Sequence, residues 1–155
     1  MKRWIVAAAI GALTCAAVAD DELDKRFGKD ILIIEASAYG CHRFDIYVAA
    51  DNTQRSRGLM FVRNLPATTG MIFIYDNEPV SMWMKNTFIP LDMLFIRRDG
   101  TVSSVAHNTE PQSLRSISSV EPVSFVLELN AGTAERLAID ENSRIYWEPA
   151  HGDVE

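Results

Sequence analysis

The sharpest contrast of apolar and polar positions in the chain falls at residues 81–95, SMWMKNTFIPLDMLF. In an extended chain alternate residues share a face. Val80, Met82 and Met84 then point one way, and Ser81, Trp83 and Lys85 the other. Pro90 cannot donate to a ladder, which places it at a strand start or an edge. Beyond it Leu91, Met93 and Phe95 share one face, and Asp92, Leu94 and Ile96 the other. Asp92 therefore interrupts an apolar row. A buried carboxylate is costly unless it is paired or hydrogen-bonded. The nearest donors in sequence are Lys85, Asn86 and Thr87, and the expectation is that some of them hold it.

Similar patterns predict the other elements. An aliphatic run at 31–34 reads as a buried strand. His42, Phe44, Ile46 and Val48 alternate with Arg43, Asp45 and Tyr47, and the Tyr39-Gly40 turn makes a hairpin of the two. Further strands are predicted at 71–75, at 101–107 after the Asp99-Gly100 turn, at 123–129 and at 145–147. Two short helices are expected. One spans 51–58, with Asp51 as cap, Gln54 as capping-box partner and Gly58 as terminator; the other spans 130–138, with Asn130 as cap. Leu59-Met60-Phe61 is expected to plug the core. Residues 108–119 are polar, Ser-rich and long for a loop, a length often functional or mobile. The reading is mainly β: a compact sandwich or barrel of seven to eight short strands with two short helices, too few for alternating βαβ units.

At 155 residues, 48% hydrophobic and 23% charged, the chain fits one domain with a modest core. Its start stands apart. Lys2 and Arg3 precede an apolar run, and Ala17-Val18-Ala19 supplies small residues, so 1–19 reads as a signal peptide cut before Asp20. The run is short of the roughly 20 residues of a membrane span. Residues 20–29 read as a flexible leader, 30–149 as the single β domain and 150–155 as a tail. Cleavage removes two basic residues and no acid, leaving a mature chain more acidic than the net −6 of the whole. That speaks against nucleic acid and anionic membrane surfaces as partners. A periplasmic or secreted monomer with no stable membrane span is the expectation. Cleavage also removes Cys15 and leaves Cys41 without an intrachain partner; a buried, inert thiol is expected there.

Five motifs occur in one order: Arg57-Gly58-Leu59-Met60, Gly70-Met71-Ile72-Phe73, Trp83-Met84-Lys85-Asn86-Thr87, Ile89-Pro90-Leu91-Asp92, and Leu127-Glu128-Leu129 with Gly132. Together they resemble the domain-of-unknown-function family 192, over about residues 31–148. The resemblance implies a mainly β, jelly-roll-like fold and often a signal peptide, and it brings no established activity. One departure stands near the end, where Asp140-Glu141-Asn142 replaces an expected Gly-Asp turn.

The chemistry is concentrated in few residues. Lys85, Asn86, Thr87 and Asp92, with Arg57 and Glu128 as further candidates, supply the cations, amide, hydroxyl and carboxylates that fix a small polar ligand. The alternative for the first four is a buried structural network, with Asp92 accepting from backbone or Asn86. The leading functional expectation is an exported protein binding a small polar ligand or an envelope partner. A second makes it a hydrolase or lyase of envelope glycans, with Asp92 and Glu128 as acid and base. A third makes it a purely structural envelope module. No cofactor and no metal is expected: His42, His107 and His151 lack ligand spacing. Met60, Met71, Met82, Met84 and Met93 read as core filling before they read as soft-metal ligands.

Overall fold

Alternation of the aliphatic and polar positions on either side of Tyr39 produces the first pair of strands. In the computed structural model, which describes residues 17–38 and 40–148, β1 (Gly28–Ala36) and β2 (Gly40–Ala49) form an antiparallel hairpin. Leu32 lies opposite Phe44 and Ile34 opposite His42. The chain then crosses through α2 (Asn52–Arg57) to β3 (Thr69–Glu78), which runs parallel to β2. Asp51 and Gln54 form the expected capping box at the start of α2. This single crossover is a βαβ unit that the strand-rich pattern did not predict.

The rest is antiparallel. β4 (Ser81–Met82), β5 (Leu91–Ile96), β6 (Val102–Ala106), β7 (Ile117–Ser118) and β8 (Val123–Asn130) follow, then α3 (Thr133–Leu137) and β9 (Arg144–Tyr146). Seven strands form one sheet in the order β6-β5-β8-β3-β2-β1-β9, and β4 pairs with β7 outside it. The sheet curls until its two edges meet. Thr101 bridges to Arg144, the Val102 N–H donates to the Ser143 carbonyl (3.1 Å), and the Ile145 N–H donates to the Gly100 carbonyl (2.8 Å). Closure of this kind removes exposed strand edges. The described residues hold nine strands and three helices, against the expected seven to eight and two.

Curling gives the sheet two apolar faces. Leu32, Ile34, Phe44, Ile46, Ile72, Leu94, Ile96, Leu127 and Leu129 pack inside. Met71, Phe73, Leu91, Met93, Phe95 and Val126 face outward, under Leu59, Val62, Leu65, Val80 and Met84. The strand β5 is buried along its whole length, and the parity read from sequence holds: odd positions lie outside, even ones inside. Val80 and Met84 are buried, while Ser81, Trp83 and Lys85 are exposed.

Several expectations are corrected. Residues 20–29 are not a loose leader: α1 (Ala17–Arg26) runs directly into β1. Leu23 of α1 and Phe27 just past its end, whose N–H donates to the Leu23 carbonyl (3.0 Å), are buried against the outer face, with Phe27 edge-on to Tyr47 (6.5 Å). The expected signal peptide lies outside the described residues except for its last three, which belong to α1, and the tail 150–155 lies outside them entirely. Cys41 is exposed, because it sits on the outward row of the β1–β2 hairpin. Phe61 does not plug the core; it is 49% exposed and held at φ 68°. The segment 108–119 is stitched down rather than loose. Met84 donates to the Ser113 carbonyl, Gln112 to that of Thr87 and Thr109 to that of Leu91, and its end forms β7.

The divergent turn before β9 is closed by Asp140. Its carboxylate accepts the Asn142 N–H (2.8 Å) and the Ser37 hydroxyl (3.0 Å), while Ser143 donates to its carbonyl (3.0 Å). An aspartate that bonds its own following backbone does here what a Gly-Asp pair was expected to do.

Candidate functional site

Asp92 is fully buried and faces the inside of the curled sheet. Its Oδ1 accepts the Asn108 N–H and its Oδ2 the Ala134 N–H, both at 2.9 Å. The expectation that Lys85, Asn86 or Thr87 holds it is overturned. The helix α3 begins at Gly132, which has no side chain to cap the free N–H groups of the first turn. Asp92 supplies that cap from another strand. Asn130, expected to do so, instead donates its side-chain amide to the carbonyl of Leu65 (2.9 Å).

The bend at 84–87 closes on itself. The Thr87 N–H donates to the Met84 carbonyl (3.0 Å) and its hydroxyl to that of Lys85 (3.3 Å). Asn86 takes a left-handed conformation (φ 56°), and its carbonyl accepts the Phe61 N–H at 2.8 Å. This fastens the bend to the segment after α2, so Lys85 and Arg57 come to lie around one opening.

That opening leads into a cavity of about 300 Å³ on the outer face of the sheet. Arg55, Ser56 and Arg57 of α2 form one wall, and Met82, Trp83, Lys85 and Thr87 the other. Phe73, Tyr75 and Glu128 line it from the sheet. Of the six residues singled out in sequence, Arg57, Lys85, Thr87 and Glu128 are brought together here. Asn86 and Asp92 are not among the lining.

Glu128 sits on β8 between Met71 of β3 and Met93 of β5. It is 4% exposed, and burial pushes its carboxyl up to about 8. Its carboxyl has no hydrogen bond to another described residue. Tyr75 is also pushed up, to about 12, first by burial, with Arg55 opposing and Glu128 adding to the rise. Its hydroxyl donates to the Met82 sulfur (3.3 Å).

The cations differ in how they are engaged. Arg55 donates to the carbonyls of Ala50 and Ile74, both at 2.8 Å, and to the Asn52 side chain, and it lies over the Tyr75 ring. It is a structural strut. Arg57 and Lys85 form no ion pair among the described residues; Arg57 lies over the Phe61 ring (4.7 Å) and Lys85 over Trp83 (5.3 Å). Tyr75, Ser56 and Trp83 were missed in sequence. For Tyr75 a signal existed: it continues the Met71, Phe73 row that faces the cavity.

Asp92 and Glu128 do not form an acid–base pair. They point to opposite faces of the sheet, and Glu128 is the one carboxylate among the described residues lining the cavity. No three His, Cys, Asp or Glu side chains of the described residues gather as a metal site. Met71, Met84 and Met93 are fully buried, whereas Met60 and Met82 line the cavity. No helix of the described residues is long and apolar enough to cross a membrane.

Fold and site together define a mainly β domain that closes one sheet on itself and carries a cavity on its outer face. The chain belongs to the DUF192 family, described as an uncharacterized ACR, whose model matches residues 33–147. It is similar to a crystal structure from Sinorhizobium meliloti described as that of a conjectured transcription regulator. The two are 41% identical, with a TM-score of 0.76, over 77% of this chain and 94% of that one. It is also similar to a protein of unknown function from Novosphingobium aromaticivorans, at 32% identity and a TM-score of 0.74, over 77% of this chain and 85% of that one. No curated protein matches the chain.

Proposed function

We propose that this protein is an exported, single-domain binding protein for a small polar ligand, held in the cavity between α2 and residues 81–87. One observation carries the reading. The carboxyl of Glu128, a residue otherwise buried and without a side-chain hydrogen bond among the described residues, opens into a cavity that also gathers Arg57, Lys85 and Thr87. The volume falls at the small end of ligand pockets, roughly 300–1,000 Å³. The regulator description of the Sinorhizobium relative is not adopted, since a net charge of −6 opposes contact with a phosphate backbone.

Amide NMR of the purified protein against a library of small metabolites and sugars tests the reading. Binders are expected to move the signals of Arg57, Lys85 and Thr87. A bulky Ser56→Trp at the exposed mouth is expected to abolish these shifts while leaving the remaining spectrum intact. Hits indifferent to that substitution, or no hits at all, would remove the cavity from consideration.

A second reading makes the cavity catalytic, with Glu128 alone as general acid. A carboxyl raised to about 8 favours it, since it carries a proton at neutral pH. Turnover of an envelope glycan that survives Glu128→Gln would eliminate that version.

A further inference from the structure

We propose that the cavity selects a small organic oxyanion, a carboxylate or phosphate, with Arg57 and Lys85 facing its charge and the Glu128 carboxyl hydrogen-bonding its other end. The inference rests on the binding reading above and narrows it to a chemical class.

Charge around the cavity is the first argument. The chain carries 21 acidic against 15 basic residues, yet the charged side chains lining this cavity are Arg55, Arg57, Lys85 and Glu128. Arg55 is consumed by two carbonyls and Asn52. Among the described residues Arg57 and Lys85 lie over aromatic faces and pair with no carboxylate. A ring face restrains the cation without neutralising it or occupying its donors. Two cations with free donors at one opening raise the local concentration of an anion even on an acidic protein.

The second argument is the state of Glu128. At neutral pH its carboxyl holds a proton, because burial pushes it up to about 8. It therefore leaves the positive mouth uncompensated and offers an O–H donor from the sheet. Around it stand Tyr75 from β3, Arg55 and Arg57 from α2, and Lys85 from the bend. Of these, burial pushes the Tyr75 hydroxyl up to about 12. Ionisation of Glu128 would place a negative charge in the cavity and repel an anion. Binding should thus weaken as the pH rises through about 8.

The test uses the purified protein at constant ionic strength, with succinate and inorganic phosphate as anionic probes, N-acetylglucosamine as the neutral one and putrescine as the cationic one. Amide NMR reports where each binds, and titration reports how tightly. The expected result is that an anion shifts the signals of Arg57, Lys85 and Thr87. Affinity should fall tenfold or more in Arg57→Gln and in Lys85→Gln, both with otherwise unchanged spectra, and again between pH 7 and pH 9. Glu128→Gln, neutral at every pH, should lose that pH dependence. Binding of N-acetylglucosamine or putrescine at these amides, with no anion binding, would overturn the anion class and leave the binding cavity standing. Anion shifts elsewhere, or affinity unmoved in both charge variants, would also overturn it. Silence from all four probes would overturn the anion class, while the broader library decides the fate of the cavity.

Discussion

Asp92 and Glu128 lie on neighbouring strands, one residue apart in register, and project to opposite faces of the same sheet. Met93 is opposite Glu128, and Asp92 is opposite Leu129. The two carboxyls are both buried but live in different chemistry. Asp92 has two backbone donors and caps a helix; Glu128 has none and lines a cavity.

Asp92→Asn should destabilise the fold without touching the cavity. An amide cannot accept at both ends, so one of the N–H groups of Asn108 and Ala134 is left facing another donor. The loss expected is roughly 2–4 kcal/mol. Urea unfolding gives the magnitude, and hydrogen exchange at Ala134 gives the location. A variant as stable as the parent would mean that the helix start is capped by something else.

Stability should fall as the pH rises through the neutral range because of Glu128. Its folded value of about 8 lies above the ordinary 4.5. Below 4.5 the group is protonated folded and unfolded alike. Between 4.5 and about 8 only the unfolded chain releases the proton, and stability declines by up to about 1.4 kcal/mol per pH unit. Above about 8 the decline stops. Glu128→Gln should flatten this window and be the more stable protein at pH 8. Parallel profiles for the two proteins would contradict the assignment of a neutral Glu128.

Closure of the sheet depends on Gly100. Its φ is +86°, and a Cβ there would collide with the Ile145 carbonyl oxygen, which is backbone and has no easy retreat. Gly100→Ala should cost roughly 2 kcal/mol or more. Faster amide exchange at Val102 and Ile145 should accompany it, as the two edges part. An unaltered melting temperature would show that the edges do not need each other.

Thr109 ties the segment after β6 to the start of β5. Its hydroxyl donates to the Leu91 carbonyl (2.9 Å), lies 3.2 Å from the Met84 sulfur, and accepts the Leu91 N–H (3.3 Å). Thr109→Val keeps the shape and removes these bonds, for an expected loss of about 1–2 kcal/mol. Thermal unfolding measures it; equality with the parent would place the Leu91 N–H on another acceptor.

Much of this molecule was legible residue by residue. The parity of β5, the β1–β2 and β5–β6 hairpins, and the Asp51–Gln54 box are local: strand period and cap chemistry act over a few residues. Four of the six residues singled out, Arg57, Lys85, Thr87 and Glu128, line one cavity; their side-chain chemistry marks them in sequence, but their meeting does not. The partners of Asp92 were not legible. They lie 16 and 42 residues away, and they are backbone groups, which every residue but proline carries and no sequence pattern marks.

From the chain alone came the strands, their inward and outward rows, the family and the oddity of a buried carboxylate. Tertiary structure decided which strands are neighbours, that β2 and β3 run parallel, that the sheet meets itself at Thr101 and Arg144, and that Arg57 and Lys85 share one opening with Glu128. The reason is one of range. Alternation and capping are set by sterics and hydrogen bonds between near neighbours, whereas a cavity exists only where segments distant in sequence fail to fill the space between them.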